Sequence, residues 1–478
     1  MPPWNLPNSC IYFQLLLSLS LGPSLVSPCR KVVNAENMDS VWRQRLAAIT
    51  RTRLRHLLLS TAYVAACLLF PISPGWAEEE KPTPLAGEAF DTEVLGEPVQ
   101  VAPRDRKSVT AASFGIQYLP DGPSFYQVLP FGALYVWRNS DDMRQRFRGT
   151  FSGPVNDLTM NVGAQSSSGW EFRFTLNTMI IPLGRSEYVE GQIIRDVEVE
   201  WSYVFGGFGL AYRRLLDPGH QDNALELSLT YEPGFRWFKG TSKTSPNFIV
   251  PEDTYEGRVH ARVRRDALER NLMELPHRGY AFGGDFIYGH RSNWSTWGGG
   301  VFGLSNERKY LMGSVFALAA TGVPFVSSER HRLVASVYAG LGQNLDRFST
   351  FRLPGRPTGY EWEALALPIL PSVAFNELFP RRYGIAHLEY RYEPIFFVFP
   401  YIRGSWGLVE QPRFQPDGSI RYKMDAMPAL SGGVVTGAPW RSQVEINYSY
   451  NFGIYSDHGG GPPLPGRHGF FVFWSKEL

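Results

Sequence analysis

Residues Gln443–Tyr455 read QVEINYSYNFGIY, with a period of two. Val444, Ile446, Tyr448, Tyr450, Phe452 and Ile454 take one face, while Gln443, Glu445, Asn447, Ser449, Asn451 and Gly453 take the other. Successive side chains on a strand point to opposite sides, so this alternation specifies a β-strand with one apolar and one hydrated face. The pattern recurs in Asp196–Phe205, where Val197, Val199, Trp201, Tyr203 and Phe205 oppose Glu198, Glu200 and Ser202, and again in Leu225–Glu232. Val259, Ala261 and Val263 likewise oppose His260, Arg262 and Arg264, and Leu388, Tyr390 and Tyr392 oppose His387, Glu389 and Arg391. The chain from Val109 onward is therefore all-β.

A water-soluble sandwich would turn these apolar faces inward, whereas a transmembrane barrel turns them outward. Several strands run to ten or more residues, roughly the length that crosses a bilayer at a tilt, against about five or six for an ordinary strand. The apolar faces are rich in Tyr, Trp and Phe, which suit the two membrane interfaces. The expected fold is a transmembrane antiparallel β-barrel over residues 109–478, of about 16 strands. Glu389 and Arg391, two apart on one face, are expected to form a lumen ion pair. Ser242–Thr254 and Pro412–Ser419 look like outer loops.

The amino terminus carries an export signal. From Met38, five arginines (43, 45, 51, 53 and 55) precede an apolar run, Leu57–Phe70, and a small residue, Ala77, precedes an acidic start. Residues 38–77 read as a secretory signal peptide cleaved after Ala77. Residues 1–37 have no basic residue before their own apolar patch, so Met38 is read as the true start, with a long leader as the alternative. Val64-Ala65-Ala66-Cys67 also fits a lipoprotein box, but the apolar run continues past Cys67. Residues 78–108 are acidic, proline-containing and without period, and are expected to be a short disordered periplasmic leader.

Composition removes several functions. Cys10, Cys29 and Cys67 all precede the expected cut, which excludes thiolate catalysis, disulfides and cysteine metal sites in the mature chain. Downstream of Ala77 remain 40 of the 47 Lys and Arg and 43 of the 45 Asp and Glu, a net charge of −3 and no basis for nucleic-acid binding. The histidines at 220, 260, 277, 290, 331, 387, 458 and 468 are scattered, and no G-x-S-x-G or H-E-x-x-H spacing accompanies them. No cofactor or metal is expected, and an outer-membrane hydrolase is the least favoured reading.

Five segments carry a resemblance. Arg264–Tyr280, RRDALERNLMELPHRGY, reads as a strand, a polar connection (Asp266–Leu275) and a turn (Pro276–Gly279) feeding a second strand. It resembles the D-x-x-D-N … P-x-x-G signature of the bacterial surface antigen barrels, the BamA/TamA superfamily: Asp266 matches the first acid, Glu269 stands for the second, Asn271 comes one place late, and Pro276 and Gly279 match the turn. Arg347–Ala366 is similar to the family's long loop, with Phe351, Leu353 and Gly355 in the approach and Gly359-Tyr360 at the tip. Thr358 replaces the family arginine, which pairs with acids of the barrel wall, and Arg356 lies two residues earlier. His387–Ile395 is similar to the strand that follows the family's long loop, and Gly432–Tyr450 to its penultimate hairpin. The end of the chain resembles the closing-strand signal of outer-membrane barrels, with Arg467, Gly469, Val472 and Trp474 in its places and SKEL beyond.

The resemblance implies a role in outer-membrane protein assembly, insertion or translocation. Residues 78–108 are too short for even one domain of the usual minimum of about 50 residues, so no POTRA domain is expected there. Expected partners are outer-membrane lipid and lipopolysaccharide, the barrel assembly machinery during biogenesis, and a client protein or separate periplasmic partner. A passive pore or structural barrel is the alternative. The seam between a first strand near Val109–Leu119 and a last at Gly469–Trp474 is the expected weak line, with Gly115 and neighbouring alanines loosening one side.

Overall fold

A computed structural model describes residues 82–478 except 87, 95–96, 102–107, 124–126, 154, 164–167, 217–222, 354–364, 375–376, 439–441 and 457–463. The upstream segment, 1–37, and the expected signal peptide, 38–77, lie outside the described residues. Sixteen antiparallel strands close into one barrel. They are β1 (Ser108–Tyr118), β2 (Val128–Asn139), β3 (Gln145–Phe151), β4 (Val155–Gly163), β5 (Ser168–Val189), β6 (Gln192–Leu215), β7 (Ala224–Gly240) and β8 (Thr254–Arg270), followed by β9 (Pro276–Arg291), β10 (Lys309–Gly322), β11 (His331–Gln343), β12 (Arg382–Tyr392), β13 (Val398–Phe414), β14 (Ile420–Ala438), β15 (Ser442–Ser456) and β16 (Leu464–Glu477). Each pairs with the next in sequence, and β16 pairs back onto β1. The start of β1 and the end of β16 share one end of the barrel, called here the terminal end; the opposite end is the loop end.

The alternation read from the sequence has the expected sense around most of the ring. Phe172, Phe174, Leu210, Leu229, Val337, Leu388, Ile446 and Val472 are exposed on the outside. A continuous apolar belt of this kind is stable only against lipid, so the fold is a transmembrane barrel. Inside, charges are paired. Glu256 is fully buried and accepts hydrogen bonds from Arg236 Nε (2.9 Å), Arg291 Nε (2.9 Å) and Tyr310 Oη (2.8 Å). Arg262 and His260 reach Asp285, each at 2.8 Å, and Arg391 and Arg403 both pair with Glu389. A buried charge persists only where partners of this sort compensate its lost hydration.

One apolar row and one further residue, Ile454, point the other way. Val197, Val199, Trp201, Tyr203 and Phe205 of β6 face the lumen and join Phe248, Trp294, Trp297 and Phe348 in a buried aromatic cluster. β5 and β6 run to 22 and 24 residues, about twice what a bilayer crossing needs, so this part of β6 lies beyond the lipid. There the inner face packs on loops, and Glu198, Glu200 and Ser202 take the outer side. In β15 the register shifts between Asn451 and Tyr455, which turns Ile454 inward.

Element bounds also shift. β8 continues through Arg270, so the connection is only Asn271–Leu275, and Pro276–Gly279 already belongs to β9. Pro412–Phe414 belongs to β13, leaving Gln415–Ser419 as the turn, and β16 begins before Gly469, at Leu464. Within the leader, expected to be without structure, Phe90–Val94 and Glu97–Val101 pair as a separate antiparallel two-stranded sheet.

Both mouths are bridged. At the loop end the β5–β6 tip reaches β13 and β15, with Glu190 3.4 Å from Arg413 and a Cβ on Gly191 placed 3.1 Å from Tyr455 Cβ. β5 and β13 stand eight places apart in the ring of 16, so this hairpin crosses the opening. At the terminal end Met273, in the β8–β9 turn, clusters with Phe399, Tyr401 and Val435 of β13 and β14.

Candidate functional site

The 38 residues between β11 and β12 (344–381) form the longest connection in the barrel. The described parts fold inward as two limbs. The outgoing limb is fixed at Asp346, whose carboxylate pairs with Arg291 of β9 and also accepts the Phe348 and Ser349 amides at 3.0 and 3.1 Å. Phe348 then enters the aromatic cluster, 4.7 Å from Phe238 and 5.1 Å from Trp297 between ring centres. Phe351 packs edge-on against Tyr383, and the Leu353 amide bonds to Leu378 O (3.2 Å), joining the two limbs.

The return limb lies against the seam. Pro371 O accepts from Asn451 Nδ2 of β15 (2.9 Å), the Ser372 and Ser449 hydroxyls bond at 2.8 Å, and Val373 O accepts from Gln117 Nε2 of β1 (2.9 Å). Arg467 of β16, fully buried, donates to both oxygens of Glu377 (2.8 and 2.6 Å). Gly469 is what lets the limb approach, since a Cβ there would sit 2.9 Å from Ser372 Oγ. One segment thus holds the first strand and the last two from inside, leaving a cavity of only about 30 Å³ beside Gln117, Ser372 and Gly469.

The seam itself is well made. β16 and β1 pair over eight residues, Phe470↔Tyr118 to Glu477↔Ala111, whereas β2 and β3 pair over six. The shortest pairing in the ring is therefore elsewhere. Gly115 leaves no gap, because the Phe131 ring fills the space a side chain would need, 2.3 Å from where a Cβ would stand. Phe131 stacks with Phe471 (5.5 Å) inside, and Tyr118 with Phe470 (6.0 Å) outside. The glycine serves an aromatic brace across the seam and does not loosen it.

The sequence-derived residues fall into three places. Arg467 and Gly469 meet the return limb, while Val472 and Trp474 face lipid. Gly355, Arg356, Thr358, Gly359 and Tyr360 lie outside the described residues. Asp266, Glu269, Asn271, Pro276 and Gly279 gather at the β8–β9 turn, across the ring from the seam. There Asn271 Oδ1 accepts the Met273 and Leu275 amides, both at 3.0 Å, and Asp266 pairs with Arg270. Gly279 has φ +99°, and a Cβ would come within 2.2 Å of Ala267 O. Gly279→Ala should therefore cost on the order of 2–3 kcal/mol. The measurement is the temperature at which the fast-migrating folded band converts to the unfolded one in detergent gels; an unchanged midpoint would show that the turn relaxes freely.

Asp346, Glu377, Arg291, Ser372 and Asn451 were not signalled by spacing, because their partners lie 55 to 90 residues away. His387 Nδ1 and Ser405 Oγ are 2.8 Å apart, a contact that spacing could not show, but His387 Nε2 has no hydrogen-bond partner among the described residues, so no acid orients the ring. Among the described residues no cluster of His, Cys, Asp and Glu is placed to hold a metal.

No family model matches the chain, and no curated protein does. Solved barrels do match. The chain is similar in fold to BamA from Haemophilus ducreyi lacking POTRA domains 1–3 (TM-score 0.44, 10% identity, covering 81% of this chain and 75% of that one). It is also similar to CdiB from Escherichia coli (TM-score 0.42, 11% identity, 83% and 68%) and CdiB from Acinetobacter baumannii (TM-score 0.41, 10% identity, 81% and 65%). The chain thus spans slightly less than two thirds of the last. At such identities the likeness is one of fold.

Proposed function

We propose that the chain is an outer-membrane barrel of the surface antigen superfamily that assembles, inserts or translocates other proteins, using the seam that the inner loop holds. The observation that carries this reading is the return limb: a long loop turned into the lumen and bonded to both sides of the ring closure. Inside a bilayer an edge with unpaired backbone groups is costly, so any opening of the seam must be coupled to a device that stabilises the closed form and can be released. The absence of an arginine at Thr358 fits this chain's own wall, since Glu389 already has two guanidinium partners, Arg391 and Arg403.

The passive-pore alternative has less support, because hairpin and turn bridge both mouths and a buried apolar cluster, including Leu268, Phe316, Leu370 and Met427, fills part of the lumen. Catalysis is favoured less again, since the Ser405–His387 contact has no acid on His387 Nε2 among the described residues. Lipid, lipopolysaccharide and a separate periplasmic partner or client are the partners this reading requires. Reconstituted in liposomes, the protein is expected to speed folding of a urea-unfolded outer-membrane barrel at least tenfold over empty liposomes, with no steady ion conductance. Unchanged client folding together with conductance would establish the pore instead.

A further inference from the structure

The leader does more than precede the barrel. Thr83–Ala86 lies between the β8–β9 turn and the β12–β13 turn (residues 393–397) at the terminal end. Leu85 bridges Asn271 in antiparallel fashion, Ala86 N donates to Arg270 O, and Pro84 O accepts from Leu272 N, both at 2.9 Å. The leader thus adds a single antiparallel β-bridge, with two backbone hydrogen bonds, to the tip of a hairpin. Beside it, Thr83 donates from both N and Oγ1 to the same Glu393 oxygen (2.8 and 2.6 Å), and Thr83 Oγ1 accepts from Phe397 N (3.3 Å). Phe90 stacks on Phe396 at 4.8 Å, with the rings 13° from parallel. Thr83, Ala86 and Glu393 are all buried.

We infer that this rim is a peptide-binding site, filled in cis by the chain's own leader, that accepts an extended segment with a hydroxyl residue followed by apolar ones. Strand addition recognises backbone and so accepts many sequences. Selectivity comes from Glu393, which is satisfied when a backbone N–H and a side-chain hydroxyl arrive together, and from the Phe396 face. Burial pushes the Glu393 carboxyl above the usual carboxylate range, against the pull of the Thr83 hydrogen bonds, so an occupant without these donors is penalised. The leader is tethered to β1 and competes at an effective concentration of about millimolar, which makes it a built-in competitor for any segment arriving in trans. This site does not depend on seam opening.

The probe is a fluorescein-labelled peptide of residues 80–91, EKPTPLAGEAFD, with the full chain in detergent and anisotropy as readout. Thr83→Asp sets a carboxylate against Glu393 and should release the leader, so this variant should bind the peptide at least tenfold more tightly than wild type. Adding Glu393→Ala should remove at least tenfold of that gain. No binding by the released variant, equal binding by wild type, or no effect of Glu393→Ala would overturn the assignment. Should Thr83→Asp lose its fast-migrating folded band, Glu393→Ala alone decides: cleavage after Glu88 by a glutamate-specific protease should speed at least tenfold, and an unchanged rate would refute the site.

Discussion

A disulfide across the seam should abolish client assembly. Ser113 and Ser475 face each other in the β1–β16 register. Directly opposed residues of an antiparallel pair have Cα atoms roughly 4.5–5.5 Å apart, within disulfide range. The expected mature chain has no cysteine of its own, so Ser113→Cys/Ser475→Cys should cross-link cleanly. Oxidised, it should lose at least tenfold in client folding, and reductant should restore it; each single variant should behave as wild type. The barrel itself should be unharmed, because the bond joins strands already paired. If the locked protein works as well as the reduced one, the seam has no part in function and a structural barrel becomes the better account.

The second large effect concerns the return limb. Glu377 and Arg467 are each almost wholly buried, with side-chain exposures of 2% and 0%. Arg467→Leu would leave a carboxylate in the lumen without its cation, and loss of one partner of a buried pair costs about 3–5 kcal/mol. We expect a marked fall in the folded-band midpoint and new protease cleavage within residues 365–378. The double variant Arg467→Leu/Glu377→Leu should recover most of the stability, since an apolar pair avoids the stranded charge. Equal loss in single and double variants would mean that the pair acts through packing alone. Wild-type stability in the single variant would mean that the limb is not held by it.

Much of the fold could be read from the chain because a barrel wall is written in a local code. β7, β8 and β12 show their faces residue by residue, and the closing strand announces itself through Val472 and Trp474. The code names two faces without saying which is wet. In β6 the same alternation that marks a lipid face elsewhere marks an inner one, because Val197–Phe205 has left the membrane and the loops supply its apolar partner. Ile454 was misplaced by one local shift in register, which reverses every later side chain. The site was less legible. Arg467 and Gly469 stood out as part of a terminal pattern, but Glu377 and Ser372, which give them their task, lie in a loop with no period. The leader was misread for the same reason: Thr83 has no meaning until Glu393, 310 residues away, stands beside it.

The β5–β6 hairpin has a consequence for whatever approaches from outside. Many barrels offer their surroundings mobile loops, whereas here the visitor meets paired strand, with Glu200 on its outer side and the tip held at Arg413 and Tyr455. An antibody raised against the native surface would therefore recognise a fixed relief assembled from two strands. Boiling should destroy that epitope, and linear peptides from residues 186–200 should fail to compete for it.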